Sequence, residues 1–435
     1  MKAVKVGLLG LGTVGGGTLA VLRRNADEIS RRAGREIRVA AAAVRDLAKP
    51  RDTVDGLKLT ADPLAIVDDP GIDIVVELIG GDGVAKQAVL RAIDNRKHVV
   101  TANKALIALH GNAIFEKAQQ RGVMVAFEAA VAGGIPIIKT LREGLAANRI
   151  EELAGIINGT CNYILTRMQE GGGDFGDALA AAQQLGYAEA DPAFDIDGID
   201  AAHKLTILAS IAFGIPLQFE RVHVQGITEV AAEDIAFADE LGYRIKHLGL
   251  ARRTAAGIEL RVHPALIPKR ELLANVGGVM NAILARADAL GPSLYYGAGA
   301  GAEPTASAVV ADLVDVVRAV TTDPENRVPH LAFQPGSLAA LPLLAIEQIE
   351  TAYYLRLKVL NRPGVLAAIT RIFGDLGISI DTVLQKGRGQ PNQEVTVIML
   401  TQVTQERHMN AATAAIAKLD TVTGDIARIR LEKLS

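Results

Sequence analysis

Short apolar runs alternate with helix-length segments over the first third of the chain. Val4–Leu9, Arg38–Val44, Ile72–Leu78, His98–Thr101 and Val123–Phe127 read as buried strands, with helices such as Thr18–Asn25, Val84–Asn95 and Gly111–Gln120 among them. This alternation predicts a parallel, doubly wound sheet covered by helices. From about Gly134 the rhythm changes. Long helical stretches (Ile137–Ala147, Asp177–Leu185, Gly198–Phe213) mix with strand-like runs such as Glu152–Ile157 and Gly257–Val262, the pattern of a second, mixed α/β domain. A helix over Thr305–Val320 follows, and Thr322–Leu343, broken by Pro324, Pro329, Pro335 and Pro342, reads as a linker. The remainder predicts strand Tyr353–Val359, helix Val365–Leu376, strands Ile378–Gln385 and Glu394–Thr401, helix Glu406–Ala417 and strand Ile426–Leu431. That βαββαβ order fits a ferredoxin-like sandwich. The expected domains are 1–134 completed by helix 305–320, then 135–304, a linker over 321–349, and 350–435. No internal repeat is present.

With 435 residues, 49% of them hydrophobic and 22% charged, the chain has material for several cores and none of the bias of a disordered or fibrous protein. Its 46 basic and 49 acidic residues are interspersed, and no basic stripe marks a nucleic-acid or anionic-membrane surface. Neither partner is expected. Cys161 is the single cysteine, which excludes an internal disulfide and fits a reducing compartment, so a cytoplasmic location is expected. The apolar run Val6–Leu22 superficially resembles a secretion signal, but its glycines and the closing Arg23-Arg24 suit a strand, turn and helix better. Val123–Ile138, interrupted by Glu128 and Pro136, is no membrane span.

Between the first strand and the first helix lies Gly10-Leu11-Gly12-Thr13-Val14-Gly15, a G-x-G-x-x-G pattern. The first glycine allows a tight turn, the second a close approach of backbone to a pyrophosphate, and the third close helix packing, with the helix N-terminal amides facing the anion. A dinucleotide site is expected at Gly10, Gly12, Thr13, Val14 and Gly15. The second strand ends in Val44-Arg45-Asp46, where Arg45 is suited to a 2′-phosphate, so NADP(H) is preferred over NAD(H). A second glycine loop, Gly297–Pro304, precedes a helix; Gly301 within it either approaches the cofactor or belongs to a plain turn. Gly186–Lys204 carries the densest chemistry, five carboxylates followed by a lysine. Phe194 and Ile196 interrupt the acids and the spacing misses a calcium loop. Asp200 and Lys204 stand four apart and share one helix face, flanked by apolar residues that predict burial. A buried lysine beside carboxylates and a dinucleotide can give a proton to a carbonyl oxygen as hydride reaches its carbon.

This stretch resembles the signature of the homoserine dehydrogenase family, and other segments agree in order. Thr101-Ala102-Asn103-Lys104 is similar to the family's lysine motif near the cofactor, Asn158–Tyr163 (NGTCNY) to its substrate-side loop, and Glu128–Pro136 (EAAVAGGIP) to its monovalent-cation loop. The resemblance covers about residues 1–320. It implies a Rossmann-type domain, a mixed catalytic and dimerisation domain, and reversible reduction of L-aspartate 4-semialdehyde to L-homoserine on the route to threonine, methionine and isoleucine. It further implies Lys204 as general acid, Asp200 orienting it, Glu189 receiving the substrate ammonium, and Asp195, Thr160 and Gly186 on the substrate. Lys104 lies between substrate and cofactor, and Thr101 on the cofactor side. Glu128 with Val131, Gly133 and Ile135 would hold a structural sodium ion. His203 is expected to serve packing. The C-terminal segment, with Asn361-Arg362-Pro363-Gly364 at its strand-to-helix turn, resembles an ACT regulatory domain, implying a threonine effector near Asn361 and Gly364. A homodimer or homotetramer is expected. A D-3-phosphoglycerate-type dehydrogenase also joins such domains, but carries its glycine loop mid-chain. The other alternative, a non-catalytic NADP-binding amino-acid sensor, has no need of Glu189, Asp200 and Lys204 together.

Overall fold

The computed structural model describes residues 2–49, 56–171, 173–386 and 390–434. They form two compact units: Met1–Leu153 with Asp200–Val222 and Met280–Leu341, and Ala154–Ile199 with His223–Val279 and Pro342–Ser435.

In the first unit, strands β1 (Val4–Leu9), β2 (Ile37–Ala43), β3 (Lys58–Thr60), β4 (Ile74–Glu77), β5 (His98–Thr101) and β6 (Val125–Ala126) form one sheet in the order β3-β2-β1-β4-β5-β6. Every pairing is parallel. Val6, Leu8, Leu9, Val75 and Val76 are fully buried, which is why these strands read as continuous apolar runs rather than alternating ones. The strand order reverses between β1 and β4, and a crevice opens at such a switch point beyond the strands' carboxyl ends. Helix Thr13–Arg24 leaves β1 there, and helix Ala302–Ala319 packs against it so closely that a Cβ on Gly17 would lie 2.5 Å from the Ala302 carbonyl oxygen.

Several helices differ from their sequence-based bounds for local reasons. Helix Lys104–Arg121 begins seven residues before the expected Gly111, because the Asn103 side chain accepts the Leu106 N–H at 3.0 Å and caps it. The single helix expected over Ile137–Ala147 is instead a short α turn, Ile137–Lys139, running into a π turn, Thr140–Gly144, closed by Leu145 N–H to the Thr140 carbonyl. The antiparallel pair Met280–Ala287 and Gly291–Ala298 has no counterpart in the expected elements.

In the second unit, strands Tyr243–Arg253 and Ile258–Pro268 form a long antiparallel pair. The first escapes sequence reading because Arg244, Lys246 and His247 break its apolar run. Lys246 is nevertheless buried, its Nζ donating to the Val276 carbonyl at 2.6 Å and to Asn162 Oδ1 at 3.2 Å. The βαββαβ segment is present as expected, with strands in the order 427–431, 350–360, 394–401, 380–385. One face of this sheet buries Tyr353, Leu355 and Leu357 under its own two helices, with Ile369, Phe373, Met409 and Ile416. The other face, through Tyr354, Ile398, Leu400, Ile429 and Leu431, shares a core with Cys161, Ile164, Leu165 and Met168 of helix Gly159–Gly171. The C-terminal sheet is therefore a wall of that helix's core.

A buried ionic cluster fastens the same junction. Arg261, fully buried on strand 258–268, pairs with Glu432 and, at 3.0 Å, with Glu259. His263 Nε2 lies 3.0 Å from the Arg261 guanidinium and its Nδ1 2.9 Å from the Pro264 carbonyl. The neutral tautomer with hydrogen on Nδ1 satisfies both contacts, and burial beside Arg430 and Arg261 drives the imidazole well below its ordinary pKa. Replacing Arg261 by Met leaves Glu259 and Glu432 buried without their central cation. It is expected to cost about 3–5 kcal/mol, read as a lowered thermal midpoint, and Glu432→Gln in the same chain should recover part of the loss.

Candidate active site

The glycine turn of the first unit has the shape its sequence requires. Gly10 has φ +106°, and a Cβ there would lie 2.8 Å from the Leu78 carbonyl oxygen; one on Gly15 would lie 2.2 Å from the Gly10 carbonyl oxygen. Around Gly12, by contrast, a Cβ would meet nothing within 4 Å. Gly12 is the N-cap of helix Thr13–Arg24 and supplies no side-chain cap, so the first-turn amides are left without one. This fits a pyrophosphate. Arg45 is exposed just beyond β2, the neighbour of β1. Gly301, φ +124°, begins helix 302–319, whose first residue touches Gly17 of the cofactor helix, so the second glycine loop lies beside the first.

Thr101 is engaged inside the fold through its side chain. It is fully buried, its hydroxyl donates to Glu77 Oε2 at 2.6 Å, and its Oγ1 accepts the Asn103 N–H at 3.0 Å. Glu77 in turn accepts the N–H groups of Ile79 and Gly80. Thr101 thus anchors the β5 turn that presents Lys104.

The centre of this unit's chemistry is one carboxylate between two ammonium groups. Asp200 Oδ1 lies 2.8 Å from Lys104 Nζ, and Asp200 Oδ2 2.7 Å from Lys204 Nζ. Asp200 and Lys204 open helix Ile199–Phe213, in which every residue from Asp200 to Phe213 is buried; they are 2% and 9% exposed. The side chain of Lys104, at the first position of its helix, is 34% exposed. Burial penalises the Asp200 anion, but the two lysines outweigh it and hold the carboxyl far below the ordinary carboxylate range. The i,i+4 spacing announced the pairing with Lys204. Lys104, far away in sequence, carried no such signal. His203 stacks on Phe219 with ring centroids 4.4 Å apart, and burial lowers its pKa.

In the second unit, Asp195 is the hub. Its Oδ1 accepts the Asn158 amide at 2.8 Å and its Oδ2 lies 3.0 Å from Thr160 Oγ1; that hydroxyl is also 2.8 Å from the Tyr187 carbonyl, and has one hydrogen to give. Cys161 N–H donates to Asn158 Oδ1 at 2.7 Å, and the thiol to the Asp195 carbonyl at 3.2 Å. The NGTC segment and the acidic segment are thus one hydrogen-bonded assembly. Asn158 and Tyr187 belong to it although residue chemistry alone did not single them out. Gly186, φ +73°, and Glu189 lie exposed on the loop that follows helix Phe175–Gln184. Among the described residues the Glu189 carboxylate makes no ion pair.

The Glu128 loop departs from the expected ligand set. The Glu128 carboxylate accepts the Ile138 and Lys139 N–H groups at 2.9 and 2.7 Å, and its own N–H donates to Asp312 at 2.8 Å. Burial raises the Glu128 carboxyl to about 6. The carboxylate is therefore a helix cap. No backbone N–H of the described residues meets the carbonyls of Val131 or Gly133, and hard main-chain oxygens of this kind suit a monovalent cation. Ala132 (φ +52°) and Gly133 (φ +39°) are left-handed here.

Comparison with known proteins gives one answer along the chain. Residues 10–128 match the model of the homoserine dehydrogenase NAD-binding domain, 136–314 that of homoserine dehydrogenase, and 353–421 that of the ACT domain. The chain is 60% identical to the homoserine dehydrogenase of Pseudomonas aeruginosa over 100% of both chains, and 39% identical to that of Bacillus subtilis over 93% of each. A crystal structure of a homoserine dehydrogenase from Thiobacillus denitrificans superposes with a TM-score of 0.96 at 65% identity, covering 100% of this chain and 99% of that one. A hyperthermophilic archaeal homoserine dehydrogenase in complex with NADPH aligns with a TM-score of 0.62 at 27% identity, over 72% of this chain and 98% of its own.

Because its folded pKa lies below its unfolded one, Asp200 contributes stability that is fully present above the ordinary carboxylate range and is lost as pH falls through the folded value. Asp200→Asn leaves two lysines facing each other and should lower stability by about 3 kcal/mol near neutral pH. Adding Lys204→Met should restore part of it, and thermal unfolding of wild type and the two variants measures both effects.

Proposed function

The chain belongs to the homoserine dehydrogenase family and is an NAD(P)-dependent oxidoreductase, and from that premise we propose that it reduces L-aspartate 4-semialdehyde reversibly to L-homoserine, with NADP(H) preferred, in the synthesis of threonine, methionine and isoleucine. The observation that carries the mechanism is the Asp200 carboxylate held between Lys104 and Lys204. A nicotinamide, when bound, supplies or accepts the hydride at substrate C4. Lys204 Nζ gives its proton to the developing alkoxide oxygen, and the same amine takes it back in the oxidation of homoserine. Asp200 aims that amine through its contact with Lys204 Nζ, and Lys104 adds positive charge beside it. Glu189 receives the substrate's ammonium group, a charge-assisted contact that selects amino-acid aldehydes. Asp195 and Thr160, fixed through Asn158 and the Tyr187 carbonyl, offer hydrogen bonds to the substrate.

The open first turn after Gly12 supports a pyrophosphate at Gly10–Gly15, and exposed Arg45 supports the preference for a 2′-phosphate. The archaeal relative solved with NADPH agrees with that preference. A structural sodium ion would take main-chain oxygens of the 128–135 loop, with Val131, Gly133 and Ile135 as donors and the Glu128 carboxylate engaged elsewhere. The ACT segment is assigned to feedback by threonine, bound at the Asn361–Gly364 turn, which lines a cavity of about 210 Å3. A cytoplasmic homodimer or homotetramer completes the reading. No helix among the described residues is long and apolar enough to cross a membrane.

Oxidation of NADPH and of NADH with L-aspartate 4-semialdehyde, measured on wild type and Lys204→Ala, tests the reading. Turnover by the wild type, faster with NADPH, and a fall in kcat of roughly 10² or more in the variant with NADPH affinity kept are expected. Tight NADPH binding by the wild type without turnover would leave an amino-acid sensor as the better description.

A further inference from the structure

A second cavity in the second unit, of about 260 Å3, lies where two strands part. Strand 427–431 runs parallel to strand 258–268 and pairs with it only through Ala265↔Arg430 and Leu266↔Leu431. One step earlier the edge of strand 258–268 is occupied by His223 and Val224, in register with Arg261 and Val262. Residues 427–429 are thereby separated from that strand, and Pro264, which has no N–H to donate, lies at the changeover. The opening is lined by Gln225, Gly226, Glu229, Val230, Thr413 and Arg428, among others.

Its walls combine both charges with an apolar patch. The Glu229 carboxylate is exposed and makes no ion pair among the described residues. The Arg428 guanidinium is anchored at 3.2 Å by Glu406 and also by Asn410, which fixes its position while leaving donors unused, since five N–H groups are available. Val230 and Ile429 supply buried aliphatic surface. Glu229, the fixed Arg428 guanidinium and a small aliphatic wall, beside an Asp234 carboxylate already engaged by Arg356 and the Tyr354 hydroxyl, match a small zwitterionic α-amino acid within this volume.

The loop that forms one wall is joined directly to the substrate-side carboxylate. Ile227 N–H donates to the Ile196 carbonyl at 2.9 Å, and a Cβ on Gly226 would lie 2.3 Å from that same oxygen, so the loop is pressed against the residue next to Asp195. Gln225 accepts from Arg430 at 3.0 Å, and Val230 and Ile429 belong to the core that contains Cys161, whose thiol meets the Asp195 carbonyl. A ligand that drew residues 225–230 toward strand 427–429 would pull on both attachments of Asp195.

We propose that this cavity is a second effector site, binding a small α-amino acid through Glu229 and Arg428 and acting on substrate affinity through the 225–230 loop and Asp195. The proposal rests on the reading of amino-acid feedback for its ligand class and on this geometry for its place.

Calorimetric titration of the full-length protein with L-threonine, L-isoleucine and L-methionine, paired with the KM for homoserine at saturating amino acid, tests it. The variants are Glu229→Lys, an exposed charge reversal; Ala427→Phe, which fills the opening; and Asn361→Ala at the other turn. Binding weakened at least 10-fold, with loss of the effect on KM, in Glu229→Lys and Ala427→Phe but not in Asn361→Ala supports this site. A wild type that binds two molecules per chain, one lost in each class of variant, supports it equally. Unchanged binding and inhibition in Glu229→Lys and Ala427→Phe, with both lost in Asn361→Ala, would overturn the second site and leave feedback standing. A wild type that neither binds nor responds to any of the three would overturn both.

Discussion

The first unit's chemistry depends on a single buried anion. Asp200 is nearly inaccessible, yet it stays ionised because a lysine meets each of its oxygens, one from the next turn of its own helix and one from the helix that follows β5. With both lysines charged the cluster carries one net positive charge, and it can do so because Lys104, unlike the other two groups, keeps its side chain 34% exposed. The surrounding construction serves this arrangement. Glu77 and Thr101 fix the β5 turn, the Asn103 cap starts the Lys104 helix early enough to bring that lysine in, and apolar packing from Ala201 to Phe213 holds the other two groups.

The second unit treats its carboxylate differently. Asp195 has neutral donors, an amide and a hydroxyl, instead of cations, and these come from the NGTC segment opening helix 159–171. Neutral hydrogen bonds orient a carboxylate without cancelling its charge. The back of that helix is packed on the C-terminal sheet through a shared core, and the Arg261 cluster ties the same sheet to strand 258–268. The C-terminal sheet and helix 159–171 therefore share one core, so a shift in the packing of either is felt by the other.

Much of this was legible in the chain. The glycine turn, the parallel sheet, the βαββαβ order and the Asp200–Lys204 pair all rest on local patterns, either periodicity or fixed spacing. What was missed depends on contacts distant in sequence. Strand Tyr243–Arg253 was hidden because Lys246 is buried against a carbonyl some thirty residues on, a partner that no window around it includes. The anchoring role of the Thr101 side chain was hidden for the same reason, since its hydroxyl belongs to Glu77 on the adjacent strand. The Glu128 carboxylate, matched to a cation loop by its motif, is used by backbone amides ten and eleven residues later. In each case a polar side chain was already satisfied inside the fold.

The central claim is that Asp200 is held as an anion between Lys104 and Lys204, and the pH dependence of stability tests it most directly. As pH falls, the stability advantage of the wild type over Asp200→Asn should hold down to the ordinary carboxylate range and shrink only below it. An advantage already lost above the ordinary carboxylate range, or absent at every pH, would contradict the account.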